Sequence, residues 1–360
     1  RALAAAGGVV RPSDAGAAAA MLVLSGGRPA LEGLLAALGT QADEGAVVLS
    51  AELADVLRAL DGPRHDVCRI GRQDFVWGAR TYVMGILNIT PDSFSGDGAL
   101  TFFAPSETTL VAVVAQGHAM LAQGADILDV GGESTRPGAT PLDADAELAR
   151  VLPVVRALRA ATDAPISIDT YKAAVARAAL DAGADLVNDV WGLQMDPDLA
   201  PLVAERGVPV VIMHNRSKPK NAAQEARLGG RYLGVHYEDL LGDILRELRQ
   251  QVASALAAGI AAERILVDPG IGFGKTVEQN LMLLNHADEL RVLGYPVLLG
   301  PSRKSFIGYT LNLPPDERVE GTAAALVVGM LRGAADVVRV HDVGAIARAV
   351  RMADAILGAG

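Results

Sequence analysis

The sequence predicts an α/β protein whose main part is a (β/α)8 TIM barrel, with a small N-terminal α/β appendage. The chain has 360 residues, enough for one large domain and a small one. From about Tyr82 onward, short β-branched runs that end in polar or glycine residues alternate with alanine- and leucine-rich helical stretches. This alternation gives eight strands, the number that closes a parallel barrel.

The eight candidate strands are separated by segments long enough for a helix. In order they are Tyr82–Ile89, Asp126–Gly131, Pro165–Asp169, Leu186–Asp189, Pro209–His214, Ile265–Asp268, Pro296–Gly300 and Val337–His341. Three of them open on proline, where a missing N–H costs little. A doubly wound open sheet would show the same alternation. The count of eight and the lack of a dinucleotide-binding glycine fingerprint favour the barrel.

Helical stretches lie between these strands, and the first 75 residues read as a separate small unit. The stretches are Leu142–Ala160, Lys172–Ala182, Glu238–Ala258 and Val319–Leu331. In the first 75 residues, two segments predict strands (Met21–Leu24, Val47–Leu49) and two predict helices (Ala30–Leu38, Ala51–Leu60). We therefore assign residues 1–75 to a small α/β extension of unknown role and residues 76–360 to the barrel domain.

Composition and charge exclude several classes of function. The net charge of −10 and pI near 5.1 argue against a nucleic-acid partner, which needs a basic surface. Cys68 is the single cysteine, so an intramolecular disulfide cannot form and a cysteine-ligated zinc site is disfavoured. No apolar run approaches the roughly 20 residues of a membrane span. The sequence predicts a cytoplasmic protein with neither a nucleic-acid nor a membrane partner.

The strand ends carry the candidate functional residues, because a βα barrel builds its site at the carboxyl ends of its strands. Asp169, Asn188 and Asp268 are hydrogen-bond acceptors or amides suited to the donor-rich edge of a flat heterocycle. Five cationic or donor side chains suited to anions end other strands: Arg136, Arg303, Lys304, Arg339 and His341. Both kinds together indicate a substrate with a polar ring at one end and phosphate at the other. For His214, a core role and a site role remain open.

One motif is misleading. Gly274-Lys275-Thr276 is similar to the end of a nucleotide-binding P-loop, but Pro269 stands where that motif requires its first glycine. We interpret Gly270–Gly274 instead as a turn that lets the backbone approach a ligand.

The strand-end motifs, taken in order, resemble those of the dihydropteroate synthase family. They are Asn88-Ile-Thr-Pro-Asp-Ser-Phe-Ser, Asp129-Val-Gly-Gly-Glu-Ser-Thr-Arg-Pro-Gly, Asp268-Pro-Gly-Ile-Gly-Phe-Gly-Lys, Ser302-Arg-Lys-Ser and Arg339-Val-His-Asp. The resemblance covers about residues 80–357. Residues 1–75 resemble an extension found in some bacterial members. The family implies condensation of (7,8-dihydropterin-6-yl)methyl diphosphate with 4-aminobenzoate, giving 7,8-dihydropteroate and diphosphate for folate biosynthesis.

The resemblance also implies ligand contacts for particular residues. The pterin would be bound by Asp169, Asn188, Met213, Asp268, Phe273, Gly300 and Lys304. The diphosphate would be bound by Asn88, Thr135, Arg136, Arg339 and His341, with Mg²⁺ as cofactor on Asn88. The 4-aminobenzoate would be bound by Phe94, Pro137, Phe273, Ser302 and Arg303.

The same resemblance implies that Lys304, Asp97 and Arg136 act in catalysis. Lys304 is expected to lie exposed at the rim, so that its removal weakens catalysis and spares the fold. Phe94 and Pro137 are the residues of sulfonamide-sensitive members, and the family implies a homodimer. Two alternatives remain: a pterin-dependent methyltransferase domain, which needs no diphosphate-binding cations, and a catalytically silent pterin-binding homologue.

Overall fold

The computed structural model describes residues 9–12, 22–25, 28–41, 44–59, 65–89, 105–135, 141–217, 222–223, 225–233 and 235–359. The chain divides into two compact units. One comprises Arg1–Arg64 with Arg291–Gly294, and the other comprises His65–Leu290 with Tyr295–Gly360. The predicted division at residue 75 stays a prediction. None of the described helices is both long and apolar enough to cross a membrane.

Among its described residues, the first unit contains one antiparallel strand pair and two helices. Its elements are β1 (Val9–Pro12), β2 (Leu22–Ser25), α1 (Arg28–Leu38) and α2 (Glu44–Ala59). The predicted strand Val47–Leu49 is wrong, because these residues lie inside α2. The alanine, leucine and glutamate residues around this short β-branched run favour a helix and override it.

The second unit is a parallel barrel preceded by a hairpin. Its strands are β3 (Val67–Ile70), β4 (Gln73–Val76), β5 (Tyr82–Asn88), β6 (Ile127–Gly131), β7 (Ile166–Asp169), β8 (Leu186–Asp189), β9 (Val210–Met213), β10 (Ala222–Ala223), β11 (Arg231–Tyr232), β12 (Ile265–Asp268), β13 (Leu298–Leu299) and β14 (Val337–Val340). All eight predicted barrel strands are present. They hydrogen-bond in the order β12-β9-β8-β7-β6-β5-β14-β13, and a parallel bridge from Val297 to Val267 joins the two ends. The predicted barrel is confirmed.

Helices alternate with these strands. They are α3 (Glu107–Gln123), α4 (Ala144–Ala161), α5 (Ala173–Asp181), α6 (Leu199–Arg206), α7 (Leu240–Ala257), α8 (Val277–Asn285), α9 (Ser305–Leu311), α10 (Val319–Leu331) and α11 (Val343–Leu357). Short 3-10 helices span Ala262–Arg264, Ala287–Leu293 and Pro315–Glu317. The four predicted helical stretches correspond to α4, α5, α7 and α10. Asp143 starts α4 by accepting the Ala146 N–H at 2.7 Å.

The β3–β4 hairpin packs on the apolar core at the amino ends of the barrel strands. Cys68, Ile70, Phe75 and Trp77 are buried in one cluster with the first inward side chains of the barrel strands, such as Met84. Carboxylates fix the same end of the barrel: Asp126 accepts the Val83 N–H at 2.8 Å, Asp185 that of Ile166 at 2.9 Å and Asp336 that of Val297 at 2.8 Å. The amino ends thus serve stability, which leaves the carboxyl ends for chemistry.

Candidate active site

The parallel register brings the predicted residues together at the carboxyl ends. Gly131 lies opposite Asp169, Asp169 lies opposite Asn188, and Met213 lies opposite Asp268. The acceptors therefore come from β7, β8 and β12. The described residues predicted to bind diphosphate come from β14, β5 and the segment after β6, which are adjacent on the other side of the barrel. The two chemical classes thus occupy two arcs of one mouth.

Arg339 lies between two carboxylates inside the barrel. Its Nε donates to Asp129 Oδ2 at 2.6 Å and its Nη2 to Asp169 Oδ2 at 2.5 Å. The Asn188 Nδ2 donates to the same Asp129 oxygen at 3.3 Å. Burial opposes the charge on Arg339, but these carboxylates raise its pKa above the usual range, so the guanidinium stays charged. Burial raises the pKa of Asp169, and Arg339 opposes that shift.

Asp129 is a site residue to which the sequence analysis gave no role. It is fully buried, and its Oδ1 has no hydrogen-bond partner among the described residues. The signal was present in the sequence: a carboxylate at an inward position of an otherwise apolar strand needs a cationic partner. That partner, Arg339, lies 210 residues away along the chain, so no local pattern around Asp129 indicates it.

Lys304 lies across the mouth beside the turn that follows β12. Its Nζ donates to the Ile271 carbonyl and lies 4.3 Å from the centroid of the Phe273 ring. Burial lowers the pKa of Lys304 to about 8, Arg339 adds to this shift, and Asp268 and Asp169 oppose it. The expectation that Lys304 is exposed is wrong, since its side chain reaches inward over the mouth and is only partly accessible.

Three polar groups meet where β14, β5 and the segment after β13 come together. The Ser302 hydroxyl lies 3.1 Å from His341 Nδ1 and accepts the His341 N–H at the same distance. Asn88 Nδ2 lies 3.4 Å from His341 Nε2. The Asn88 carbonyl oxygen is the atom of this group best suited to a hard cation. Among the described residues, no group of three or more His, Cys, Asp or Glu side chains could hold a metal.

Arg303 has a left-handed backbone conformation between two site residues. Its φ is +57°, and this geometry turns Ser302 toward His341 while Lys304 faces Phe273. The Arg303 N–H donates to the Thr322 hydroxyl at 3.2 Å, and its side-chain Nε donates to Asp342 at 2.8 Å. These contacts stabilise a conformation that L side chains rarely adopt.

The remaining predicted residues divide into two groups. Met213 and Gly300 are buried at the strand ends, and Thr135 ends a described segment after β6. Four lie outside the described residues: Phe94, Asp97, Arg136 and Pro137. The misleading Gly274-Lys275-Thr276 motif has a structural role, because the Thr276 hydroxyl accepts the Gln279 N–H in a capping box that starts α8.

Comparison with known proteins identifies the family. Residues 84–341 match the model of the pterin binding enzymes. The chain is 46% identical to a dihydropteroate synthase of Clostridium beijerinckii over 289 residues, which are 80% of this chain and 99% of that protein. The chain belongs to the dihydropteroate synthase family.

Solved structures agree with this assignment. A Xanthomonas albilineans dihydropteroate synthase with 4-aminobenzoic acid is 41% identical, with a TM-score of 0.71 over 82% of this chain and 99% of that one. A Yersinia pestis dihydropteroate synthase with a sulfonamide drug is 40% identical, with a TM-score of 0.72 over 81% and 100%. The chain thus functions as a dihydropteroate synthase, a transferase of folate biosynthesis, which disfavours the methyltransferase and silent-homologue alternatives.

Proposed function

We propose that the two arcs of the barrel mouth bind the two ends of one substrate, (7,8-dihydropterin-6-yl)methyl diphosphate. The observation that supports this is the division of chemistry around the barrel. An acceptor arc has Asp169, Asn188 and Asp268 on β7, β8 and β12, and a donor arc lies on β14, β5 and the segment after β6. Arg339 lies at the boundary between the two arcs. It is on β14 of the donor arc, and its guanidinium donates a hydrogen bond to Asp169 of the acceptor arc. The reactive methylene carbon would lie at this boundary.

The acceptor arc suits the pterin ring. The N–H groups of the ring would donate to Asp169, Asn188 and Asp268. Asn188 and Asp268 are buried and the Asp169 side chain is 12% exposed, which makes each hydrogen bond selective. Lys304 would donate to a ring acceptor. Phe273, Met213 and Gly300 would surround the ring, Phe273 being already fixed beneath the Lys304 ammonium.

The donor arc suits the diphosphate. Asn88, Thr135, Arg136, Arg339 and His341 would surround it. A Mg²⁺ ion fits this arc, because Mg²⁺ binds through few protein oxygens together with substrate phosphates, and the Asn88 amide oxygen is such a ligand. When bound, Mg²⁺ would add positive charge at the leaving group.

The second substrate, 4-aminobenzoate, would bind beside Ser302, Arg303 and the Phe273 ring, with Phe94 and Pro137 from neighbouring segments. The Xanthomonas relative was solved with 4-aminobenzoic acid and the Yersinia relative with a sulfonamide drug. We infer that a sulfonamide competes with 4-aminobenzoate in this enzyme.

The chemistry requires no covalent enzyme intermediate. The bond between the pterin methylene carbon and the diphosphate oxygen breaks with its electron pair leaving on diphosphate, where Arg339, Arg136 and His341 stabilise the charge. Asp169 and Asp268 stabilise the cation on the ring. The amine nitrogen then bonds to the carbon and releases a proton, while Lys304 and Asp97 hold the reactants in position.

Two further features belong to this proposal. We infer a homodimer, in which the apolar α10 takes part, because its Val328 and Leu331 side chains are 39% and 62% exposed. A cytoplasmic location would suit both the substrates and the single cysteine. Sedimentation at several concentrations tests the dimer, and a monomer at all of them would contradict it.

Asp268→Asn and His341→Ala together test the division into two arcs. Calorimetry would measure binding of 6-hydroxymethyl-7,8-dihydropterin, which lacks phosphate, and of inorganic diphosphate with Mg²⁺. We expect Asp268→Asn to weaken the pterin about tenfold and His341→Ala to weaken diphosphate about tenfold, each sparing the other ligand. Equal losses of both ligands in both variants would mean that the arcs are misassigned. Diphosphate release dependent on 4-aminobenzoate reports turnover in the wild type.

A further inference from the structure

Lys275 is a buried cation that the reaction described above does not use. It is 2% exposed, yet its ammonium has an acceptor for each of its three protons. These acceptors are the Gly270 carbonyl at 3.0 Å, the Phe273 carbonyl at 3.1 Å and His214 Nδ1 at 3.1 Å. Two of the three belong to the turn that links β12 to α8, so Lys275 holds both ends of that turn.

His214 anchors the ammonium from the neighbouring strand end. It is fully buried, and its Nε2 lies 2.9 Å from Glu247 of α7. Burial lowers the pKa of His214 to about 4, and Lys275 adds to this shift, so the ring is neutral. With Nε2 protonated toward Glu247, Nδ1 is free to accept from Lys275. Glu247 in turn accepts from Arg216 Nε at 2.9 Å. His214 is therefore a buried residue that supports the site indirectly, through its contact with Lys275.

The turn held by Lys275 carries much of the proposed pterin pocket. Asp268 precedes it and accepts the Gly270 N–H at 2.6 Å, while Ile271 and Phe273 contact Lys304. The turn has no side chains to anchor it at Gly270, Gly272 and Gly274, which all have positive φ. At Gly270 a Cβ would lie 1.9 Å from the His214 carbonyl oxygen, so the turn packs directly on the end of β9. Hydrogen bonds to its backbone therefore fix its shape. Asn280 Oδ1 accepts the Gly272 N–H at 2.6 Å, and the Lys275 ammonium donates to two carbonyls of the turn.

We propose that Lys275 is a positioning residue of the pterin pocket: anchored on His214, its ammonium fixes the Gly270–Gly274 turn, and the turn aligns Asp268, Phe273 and Lys304 on the ring. This inference rests on the proposed placement of the pterin. Lys275 touches no substrate in that placement and acts only through the turn.

Charge supports this assignment. Burial lowers the pKa of Lys275 to about 7, Asp268 and Glu247 oppose the shift, and Lys304 and Arg216 add to it. The three acceptors and Asp268 favour the charged form of this ammonium against the cost of its burial. A neutral residue there would remove the Lys275 donor from the Phe273 carbonyl and from His214 Nδ1. The Gly270 carbonyl would keep the Phe273 N–H at 3.0 Å, and the loss at the other two acceptors favours rearrangement of the turn.

Lys275→Met is the direct test, because methionine has nearly the shape of lysine without its donors. Calorimetry with 6-hydroxymethyl-7,8-dihydropterin should show affinity about tenfold weaker than the wild type, while inorganic diphosphate with Mg²⁺ binds as before. If Lys275 only stabilised the fold, Lys275→Met would lower the unfolding midpoint and leave the pterin affinity of the folded protein unchanged. Wild-type pterin affinity in folded Lys275→Met would overturn the proposal.

A matched pair at His214 tests the same link with Lys275 intact. The amide of asparagine falls near the Nδ1 position and can still accept from Lys275, whereas that of glutamine falls near Nε2 and keeps only Glu247. We expect pterin affinity in His214→Asn to stay within about threefold of the wild type and that in His214→Gln to fall about tenfold. Equal losses of pterin affinity in the two variants, or a larger loss in His214→Asn, would overturn the proposal. This comparison decides the matter even if Lys275→Met does not fold.

Asp268→Asn separates this inference from the proposed pocket. If the wild type binds the pterin and Asp268→Asn weakens it, the pocket is correctly placed, and unchanged affinity in the Lys275 and His214 variants refutes only the positioning role. If Asp268→Asn has no effect, the placement of the pterin itself fails.

Discussion

At the scale of single residues, the placement of Arg339 depends on Asp129, and this dependence can be measured. Asp129→Asn leaves a buried guanidinium with one carboxylate partner instead of two. We expect a loss of about 3 kcal/mol in the free energy of unfolding and at least a tenfold fall in kcat/KM for the pterin substrate, because Arg339 loses its fixed orientation. Urea unfolding and diphosphate-release kinetics measure the two effects.

Asp126→Asn is the control for that variant, since Asp126 precedes the same strand at its other end. It accepts the Val83 N–H and pairs with Arg80, far from the mouth. Its replacement should cost about 1 kcal/mol and leave kcat/KM unchanged. If Asp129→Asn also lowered stability without changing kcat/KM, Asp129 would be a structural carboxylate like Asp126 and not a support for Arg339.

At the scale of elements, the β12–α8 turn depends on glycine for space as well as for conformation. Gly272 has a φ of +80°, and a Cβ there would lie 2.6 Å from the Cδ of Lys304. Gly272→Ala should therefore displace Lys304 and lower kcat/KM about tenfold, in addition to a backbone cost of about 1 kcal/mol. Kinetics and thermal unfolding of the variant measure these effects.

Gly207→Ala supplies the matched control at the end of α6. Gly207 has a φ of +59°, and a Cβ there would meet nothing within 4 Å. This variant should show a similar loss of stability with normal kinetics. An equal loss of activity in both variants would show that backbone strain, not displacement of Lys304, impairs catalysis.

The barrel elements were predictable because each depends on local sequence. A β-branched run that ends in glycine or a polar residue fixes a strand, and the order of those runs fixes the residues that reach the mouth. The strand wrongly predicted at Val47–Leu49 marks the limit of this reasoning, since three residues cannot outweigh the helical preference of α2 around them.

Contacts between distant parts of the chain account for what the sequence did not reveal. Asn88 and Asp268 were identified from their motifs, but the pairing of Arg339 with Asp129 joins residues 210 apart and that of Lys275 with His214 joins residues 61 apart. No pattern in the linear sequence links the two residues of either pair. The barrel brings both together because strands distant in sequence share one interior.

At the scale of the whole molecule, the β3–β4 hairpin lies in the second compact unit and packs on the amino ends of the barrel strands. It contributes Ile70, Phe75 and Trp77 to the core, and the Phe75 ring lies 4.6 Å from that of Tyr82 on β5. Fully burying side chains of this size contributes about 6 kcal/mol or more in total, comparable to the stability of an entire domain. Truncation before the hairpin and truncation after it should therefore have different effects on stability.

A chain that begins at His65 should keep the kcat and the barrel unfolding transition of the full protein, because it retains the complete second compact unit. A chain that begins at Arg80 lacks the hairpin and should lose most of its stability, exposing Tyr82 and Met84 at the amino ends of the strands. Thermal unfolding and diphosphate release of the two chains, side by side, measure this difference. Loss of the fold in the longer chain would place residues before His65 within the barrel's folding unit, and a stable shorter chain would show that the hairpin is dispensable.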